Sequence, residues 1–153
     1  MHFILRTGSI LFLLLSSLYA EALKDIKFKD VEIAKVTSVY DGDTFRVNIK
    51  GYPKIIGYRV PVRIRGIDTP ELKSKNIQEK KLALKAKQFT VQRFRGAKVI
   101  ELKNISRGKY FRLIADVYID NISLGGELLK KNLAVVYYGG AKQNWCEKDN
   151  VRY

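Results

Sequence analysis

From Val31 the chain alternates apolar and polar positions with the period of half-buried strands: Val31, Ile33, Val36 and Val39, then Phe45, Val47 and Ile49. Asp41-Gly42 between these runs reads as a tight turn, because glycine accepts a positive φ without steric cost. Gly51-Tyr52-Pro53 marks a second turn. Ile55 to Ile67 then reads as one long third strand, with bulge points at Gly57 and Gly66 and a stop at Asp68-Thr69-Pro70. The period changes over Ile77 to Arg95. Leu82, Ala86 and Phe89 fall on one helical stripe, with Ala83, Thr90 and Phe94 beside it and Gly96 as the stop. Val99 to Leu102 and Leu113 to Ile119 are predicted strands, separated by a polar loop from Lys103 to Lys109. Ser123 is placed to cap a short helix through Asn132. Ala134 to Tyr138 is a last apolar segment before Gly139-Gly140. This order predicts a mainly β fold with helices (α+β): an OB-type, five-stranded Greek-key barrel with a helix between strands 3 and 4.

Ahead of this pattern, Arg6, the apolar run Ile10 to Leu15 and Ala20-Glu21-Ala22 read as an export signal occupying residues 1–22, cut after Ala20 or Ala22. The apolar run is too short to span a membrane. An uncleaved anchor or a core helix is the alternative. Residues 23–153 are then expected to form one domain with a short polar tail from 139, without a stable membrane anchor and as a monomer, in the periplasm or secreted.

Composition narrows the chemistry. The chain has 153 residues, with 29 Lys plus Arg against 15 Asp plus Glu and a net charge of +14, yet 46% are hydrophobic, enough for a core. One cysteine, Cys146, forbids an intramolecular disulfide and any Cys-rich metal site. It is expected to be an idle or buried thiol, with an intermolecular disulfide as the alternative, and Trp145 beside it is expected to pack on the barrel. The single histidine, His2, lies in the signal, so cleavage leaves a chain with none. A Ser-His-Asp triad or a histidine base is therefore excluded in the mature chain.

The scarce acids collect at two predicted strand ends, Asp41-Gly42-Asp43-Thr44 and Asp68-Thr69-Pro70-Glu71. Oxygen-only clusters suit Ca²⁺. Each also has a structural alternative: an Asx turn for the first and a helix-entry cap for the second. Arg63 precedes the second cluster, and Lys109-Tyr110-Phe111-Arg112 opens a later strand. A hard metal, a carboxylate and two arginines are the parts needed to hydrolyse a phosphodiester without histidine.

At Val39 to Val47, Arg63 to Glu71 and Lys109 to Arg112 the chain resembles the staphylococcal nuclease (thermonuclease) family, over roughly Val31 to Tyr138. The resemblance implies an OB-fold enzyme that hydrolyses DNA and RNA with Ca²⁺ and leaves 3′-phosphate ends. By motif position, Asp43 and Asp68 look like carboxylate ligands of the metal, with the Thr69 carbonyl as a third. Asp41 looks like a residue behind them that positions metal-bound water. Glu71 looks like the group that orients or deprotonates the attacking water, and Arg63 and Arg112 look like the phosphate clamps. Arg65 competes with Arg63 for the first clamp, and the spacing to Asp68 favours Arg63. Lys109 and Tyr110 match contacts to a terminal nucleotide phosphate, and Tyr138 falls near a tyrosine that lines the nucleotide pocket. Where the family commonly has glycine before the second arginine, this chain has Phe111, strained there if φ is positive.

Lys73 to Arg95 carries eight basic residues and one acid, Glu79. The helix must turn most of these outward, giving a field that attracts polyanions. Arg46 and Arg107 are expected to be solvated surface charges. The resulting expectation is an exported nuclease with little sequence preference. The alternative is a non-catalytic OB-fold protein that binds nucleic acid at the cell envelope.

Overall fold

Alternation closes the barrel. The computed structural model describes residues 28–145, so the export signal and Cys146 lie outside the described residues. The strands are β1 (Val31–Val39), β2 (Thr44–Ile49), β3 (Val60–Ile64), β4 (Ile67–Asp68), β5 (Ile100–Arg107), β6 (Leu113–Ile119), β7 (Ile122–Ser123) and β8 (Val135–Val136). The helices are α1 (Lys54–Gly57), α2 (Ile77–Arg95) and α3 (Leu124–Lys130). β1, β2 and β3 form an antiparallel meander; β5 joins β1 and β6 joins β5. A parallel β3–β6 pairing shuts the circle. This is the OB-type barrel that the alternation predicts, with α2 between its third and fourth strands.

Inward positions recur every second residue. Along β6, Leu113, Ala115, Val117 and Ile119 are buried while the residues between them are only half-buried. Phe45 from β2 meets Phe94 from α2 edge to face, with ring centroids 4.8 Å apart. Asn76 caps α2, its side chain accepting from the Gln78 and Glu79 amides, and Gly96 ends the helix. Ser123 caps α3 by accepting from the Gly126 amide, and that helix ends at Lys130, two residues short of the expected Asn132. Trp145 is buried.

The long third strand is corrected. Pro53, with φ −55°, starts the single turn α1, and β3 covers only Val60–Ile64. Ile55 and Ile56, which read as strand interior, face solvent. The polar loop from Lys103 is corrected too. All of it up to Arg107 continues β5, and the register with β6 slips between Lys103 and Ser106, where Asn104 takes φ 50°. Gly42 is needed for a reason other than the expected positive φ. A Cβ there would stand 2.8 Å from the Ala86 Cβ and 2.9 Å from the Thr69 Cγ2, so the glycine lets the β1–β2 hairpin lie directly on α2.

Candidate functional site

Register gathers the candidate residues at one end of the barrel. Thr44 pairs with Arg63, which brings Asp43 at the β1–β2 hairpin against β3. Val62 pairs with Leu113, so Arg112, just ahead of β6, arrives beside Arg63. β8 pairs with β4, Val135 opposite Asp68, and pins the second acidic segment to the same end.

The hairpin is held by its own acids. Asp41 Oδ1 accepts from the amides of Asp43 at 3.2 Å and Thr44 at 2.8 Å, an Asx turn. The Thr44 hydroxyl donates to Asp43 Oδ1 at 2.7 Å. The Ile64 amide donates to the Asp43 carbonyl at 2.9 Å, and the Thr90 hydroxyl of α2 donates to the Gly42 carbonyl at 2.7 Å. The turn is therefore braced from within by Asp41 and Thr44, and from outside by α2 at Gly42 and β3 at Asp43.

Asp43 and Asp68 are each only 1% exposed. Arg63 bridges them: its Nη2 lies 3.0 Å from Asp43 Oδ2 and donates to Asp68 Oδ1 at 2.6 Å. The Asp43 contact pairs charge without the alignment of a hydrogen bond, so Asp43 Oδ2 and Asp68 Oδ2 both lack a hydrogen-bond donor among the described residues. Burial pushes the Asp43 carboxyl up to about 7; the Arg63 charge opposes this and the neighbouring Asp41 adds to it. Burial works against the Arg63 charge, but Asp43 and Asp68 outweigh it and hold the guanidinium above its ordinary value.

Above these acids opens a cleft of about 410 Å³ lined by Tyr40, Asp41, Thr44, Arg63, Glu71, Arg112, Tyr137 and Lys142. Arg112 Nε is buried and has no acceptor among the described residues, as an arginine poised for an anion would be. Arg65 points away, its Nη2 donating to Ser106 Oγ at 3.0 Å and to the Asn104 and Ile114 carbonyls, with Asp116 beside its Nε. Of the two competing arginines, only Arg63 reaches the cleft. Thr69 is buried next to Asp68.

Lys109 and Tyr110 line a groove adjoining this cleft rather than the cleft itself. Tyr138 is 87% exposed and its ring covers Gly66; the structure does not bring it into the cleft, where Tyr137 stands instead. Phe111 takes φ 57°, as does Tyr110, so the residue in the family's glycine position does adopt a left-handed backbone. Arg46 and Arg107 are surface residues, Arg107 lying 5.4 Å over the Phe111 ring.

Sequence reasoning missed Lys142. Its Nζ pairs with Glu71 Oε1 and stands 3.7 Å from Asp68 Oδ1. Burial lowers its affinity for a proton, but Glu71 and Asp68 outweigh this and hold it above its ordinary value. Gly139 and Gly140, at φ 112° and 95°, bend the tail back, and the Tyr137 hydroxyl holds the Gly140 carbonyl at 3.0 Å. Only the Gly-Gly pair ahead of a lysine hinted at this return.

Among the described residues no three His, Cys, Asp or Glu side chains cluster closely enough to hold a metal by themselves. Two buried carboxylates with orphaned oxygens nevertheless form a donor set of the hard-cation kind, provided carbonyl and water oxygens complete it.

Comparison with known proteins adds the lineage. The sequence model of the family described as Staphylococcal nuclease homologue matches residues 61–152, more than half of the chain. A probable endonuclease of Schizosaccharomyces pombe is 34% identical over 129 residues, covering 68% of this chain and 55% of its own. An uncharacterized protein of Bacillus anthracis is 29% identical over 116 residues, covering 73% of this chain and 51% of its own. The chain thus spans about half the length of these curated relatives.

Proposed function

Because the chain belongs to the staphylococcal nuclease family, we propose that it is a Ca²⁺-dependent phosphodiesterase that hydrolyses DNA and RNA with little sequence specificity. Residues 1–22 act as an export signal, and residues 23–153 are the working domain in the periplasm or outside the cell. The observation that carries the reading is the pair Asp43 and Asp68, buried with an unsatisfied oxygen each, beneath a cleft shared by Arg63, Glu71 and Arg112.

Asp43, Asp68 and the Thr69 carbonyl would hold Ca²⁺, with Asp41 fixing the hairpin that carries Asp43. When bound, Ca²⁺ supplies charge that stabilises the phosphate as negative charge develops on it. Arg63 and Arg112 fork onto the phosphate oxygens and hold the phosphorus over Glu71. Glu71 orients a water and takes its proton as the water oxygen bonds to phosphorus and a phosphorus–oxygen ester bond breaks, the leaving sugar oxygen taking a proton from solvent. Export suits a weak calcium site, since extracellular modules bind with dissociation constants of about 10⁻⁴–10⁻³ M. Among the described residues no helix is long and apolar enough to cross a membrane.

One observation favours the second reading, a non-catalytic nucleic-acid-binding protein at the envelope. Lys142 already occupies the Glu71 carboxylate. Incubating DNA and RNA with the protein in millimolar Ca²⁺, then in chelator, separates the two. Degradation that chelator stops supports the enzyme. Retention of nucleic acid without degradation supports the binding protein.

A further inference from the structure

Residues 50–59 join β2 to β3 and hold four large apolar side chains in water: Ile55 is 93% exposed, Ile56 60%, and Tyr52 and Tyr58 about half. This exposure is built into the loop. The Ile56 and Gly57 amides donate to the Pro53 carbonyl at 3.1 and 2.8 Å, and the Tyr58 amide to the Lys54 carbonyl at 3.1 Å. A Cβ on Gly57 would stand 2.6 Å from the Tyr52 Cβ, so the glycine lets the start of the loop close on α1. The Arg59 amide donates to Asn48 Oδ1 at 3.0 Å, and the Arg59 carbonyl accepts from Arg46 Nη1 at 3.3 Å, which pins the other end to β2. A loop tied in this way holds its isoleucines outward. Around them stand Lys50, Lys54 and Arg59, with no acid among residues 50–59. Lys50 pairs with Glu32 of β1, and no ion pair among the described residues engages Lys54 or Arg59.

We infer that this hairpin tip docks reversibly on an anionic lipid surface. Ile55 and Ile56 enter the acyl boundary, Tyr52 and Tyr58 sit at headgroup depth with their hydroxyls wet, and Lys54 and Arg59 meet the headgroup phosphates. The form of the patch favours lipid over protein. It is a protruding tip of ten residues, 50–59, whereas a stable protein interface uses roughly 20–30 residues a side. Cations beside an apolar centre are the pattern of segments that lie on membranes, and the net charge of +14 adds attraction at longer range. Thr44 and Arg63 pair at the other end of the same two strands, about 20 Å away along β2, so a docked tip leaves the cleft open to substrate. The inference stands whether or not the cleft cleaves nucleic acid.

The test attaches an environment-sensitive fluorophore to Ile55→Cys, in a Cys146→Ser background expressed as the whole chain and purified as the cell leaves it. The same label on Ile122→Cys, an exposed isoleucine of β7, is the control. Because the label reports its own surroundings, lipid binding by any other part of the chain does not mimic the result. With vesicles of equal parts phosphatidylglycerol and phosphatidylcholine, the tip label should brighten and shift to the blue while the β7 label changes little. Vesicles of phosphatidylcholine alone should give a weaker response. Adding Lys54→Gln should raise the lipid concentration at half-response about fivefold. A silent tip label, equal responses from the two labels, or equal responses to the two compositions would overturn the docking. So would a tip response that grows with protein concentration in the absence of lipid, which would make the tip a contact between copies of the chain.

Discussion

The Thr90 hydroxyl of α2 donates to the Gly42 carbonyl at 2.7 Å, with both residues buried, so the helix grips the loop that carries Asp41 and Asp43. Thr90→Val keeps the shape and leaves that carbonyl without its donor. We expect a loss of ~1–3 kcal/mol in urea unfolding. A drop in kcat should accompany it, because the hairpin is then free to shift the Asp43 carboxylate. An unfolding midpoint equal to wild type would show that the contact holds nothing.

Lys142 is expected to matter for binding more than for folding. Its pair with Glu71 is half exposed on both sides, which limits the stabilisation to ~0–1 kcal/mol. Lys142→Met should therefore melt close to wild type. It should bind nucleic acid more weakly, with the slope of log affinity against log salt shallower by about 0.7–0.9, one phosphate contact fewer. An unchanged slope would place the lysine outside the substrate path.

Asp43 carries an opposite stability sign to most carboxylates. Its ordinary value is 3.8 and burial raises it to about 7 in the fold, so the folded chain holds this proton more tightly than the unfolded one. Its contribution is full below 3.8 and is lost as pH rises to about 7. In chelator above that range, Asp43→Asn should melt at a higher temperature than wild type, and the gap should narrow toward 3.8. Added Ca²⁺ should raise the wild-type midpoint by mass action and leave the variant unmoved.

Phe111 sits at φ 57° with Arg107 over its ring. Glycine there relieves ~1–2 kcal/mol of left-handed strain but costs ~0.5–1 in chain entropy and ~0.5–1 in lost cation–π contact. These nearly cancel. Phe111→Gly should be close to neutral in thermal melts, whereas Phe111→Ala keeps the strain, loses the ring contact and should be the less stable of the two.

The barrel was legible because burial on one face writes itself into the sequence: Phe45, Val47, Leu113, Ala115, Val117 and Ile119 are all inward. The helix Ile77–Arg95 was legible to the residue for the same reason. Ile55 and Ile56 misled because apolar composition cannot distinguish a buried strand from a solvent-facing turn set by Pro53. Gly42 was recognised as a turn glycine, yet its necessity comes from Ala86 and Thr69, contacts far away in sequence. The candidate residues Asp43, Asp68, Arg63, Glu71 and Arg112 stood out as two acidic clusters with arginines near them and through the motifs that resemble the family's. Lys142 did not, since its place depends on a backward bend at Gly139-Gly140 and on no motif.

Single-turnover cleavage of single-stranded DNA by Glu71→Gln, beside wild type in saturating Ca²⁺, tests the central claim most directly. The account predicts that wild type cleaves and that the variant is slower by about 10²–10⁴ while its affinity, measured by anisotropy, holds. Cleavage by the variant within tenfold of wild type, or none by wild type itself, would contradict it.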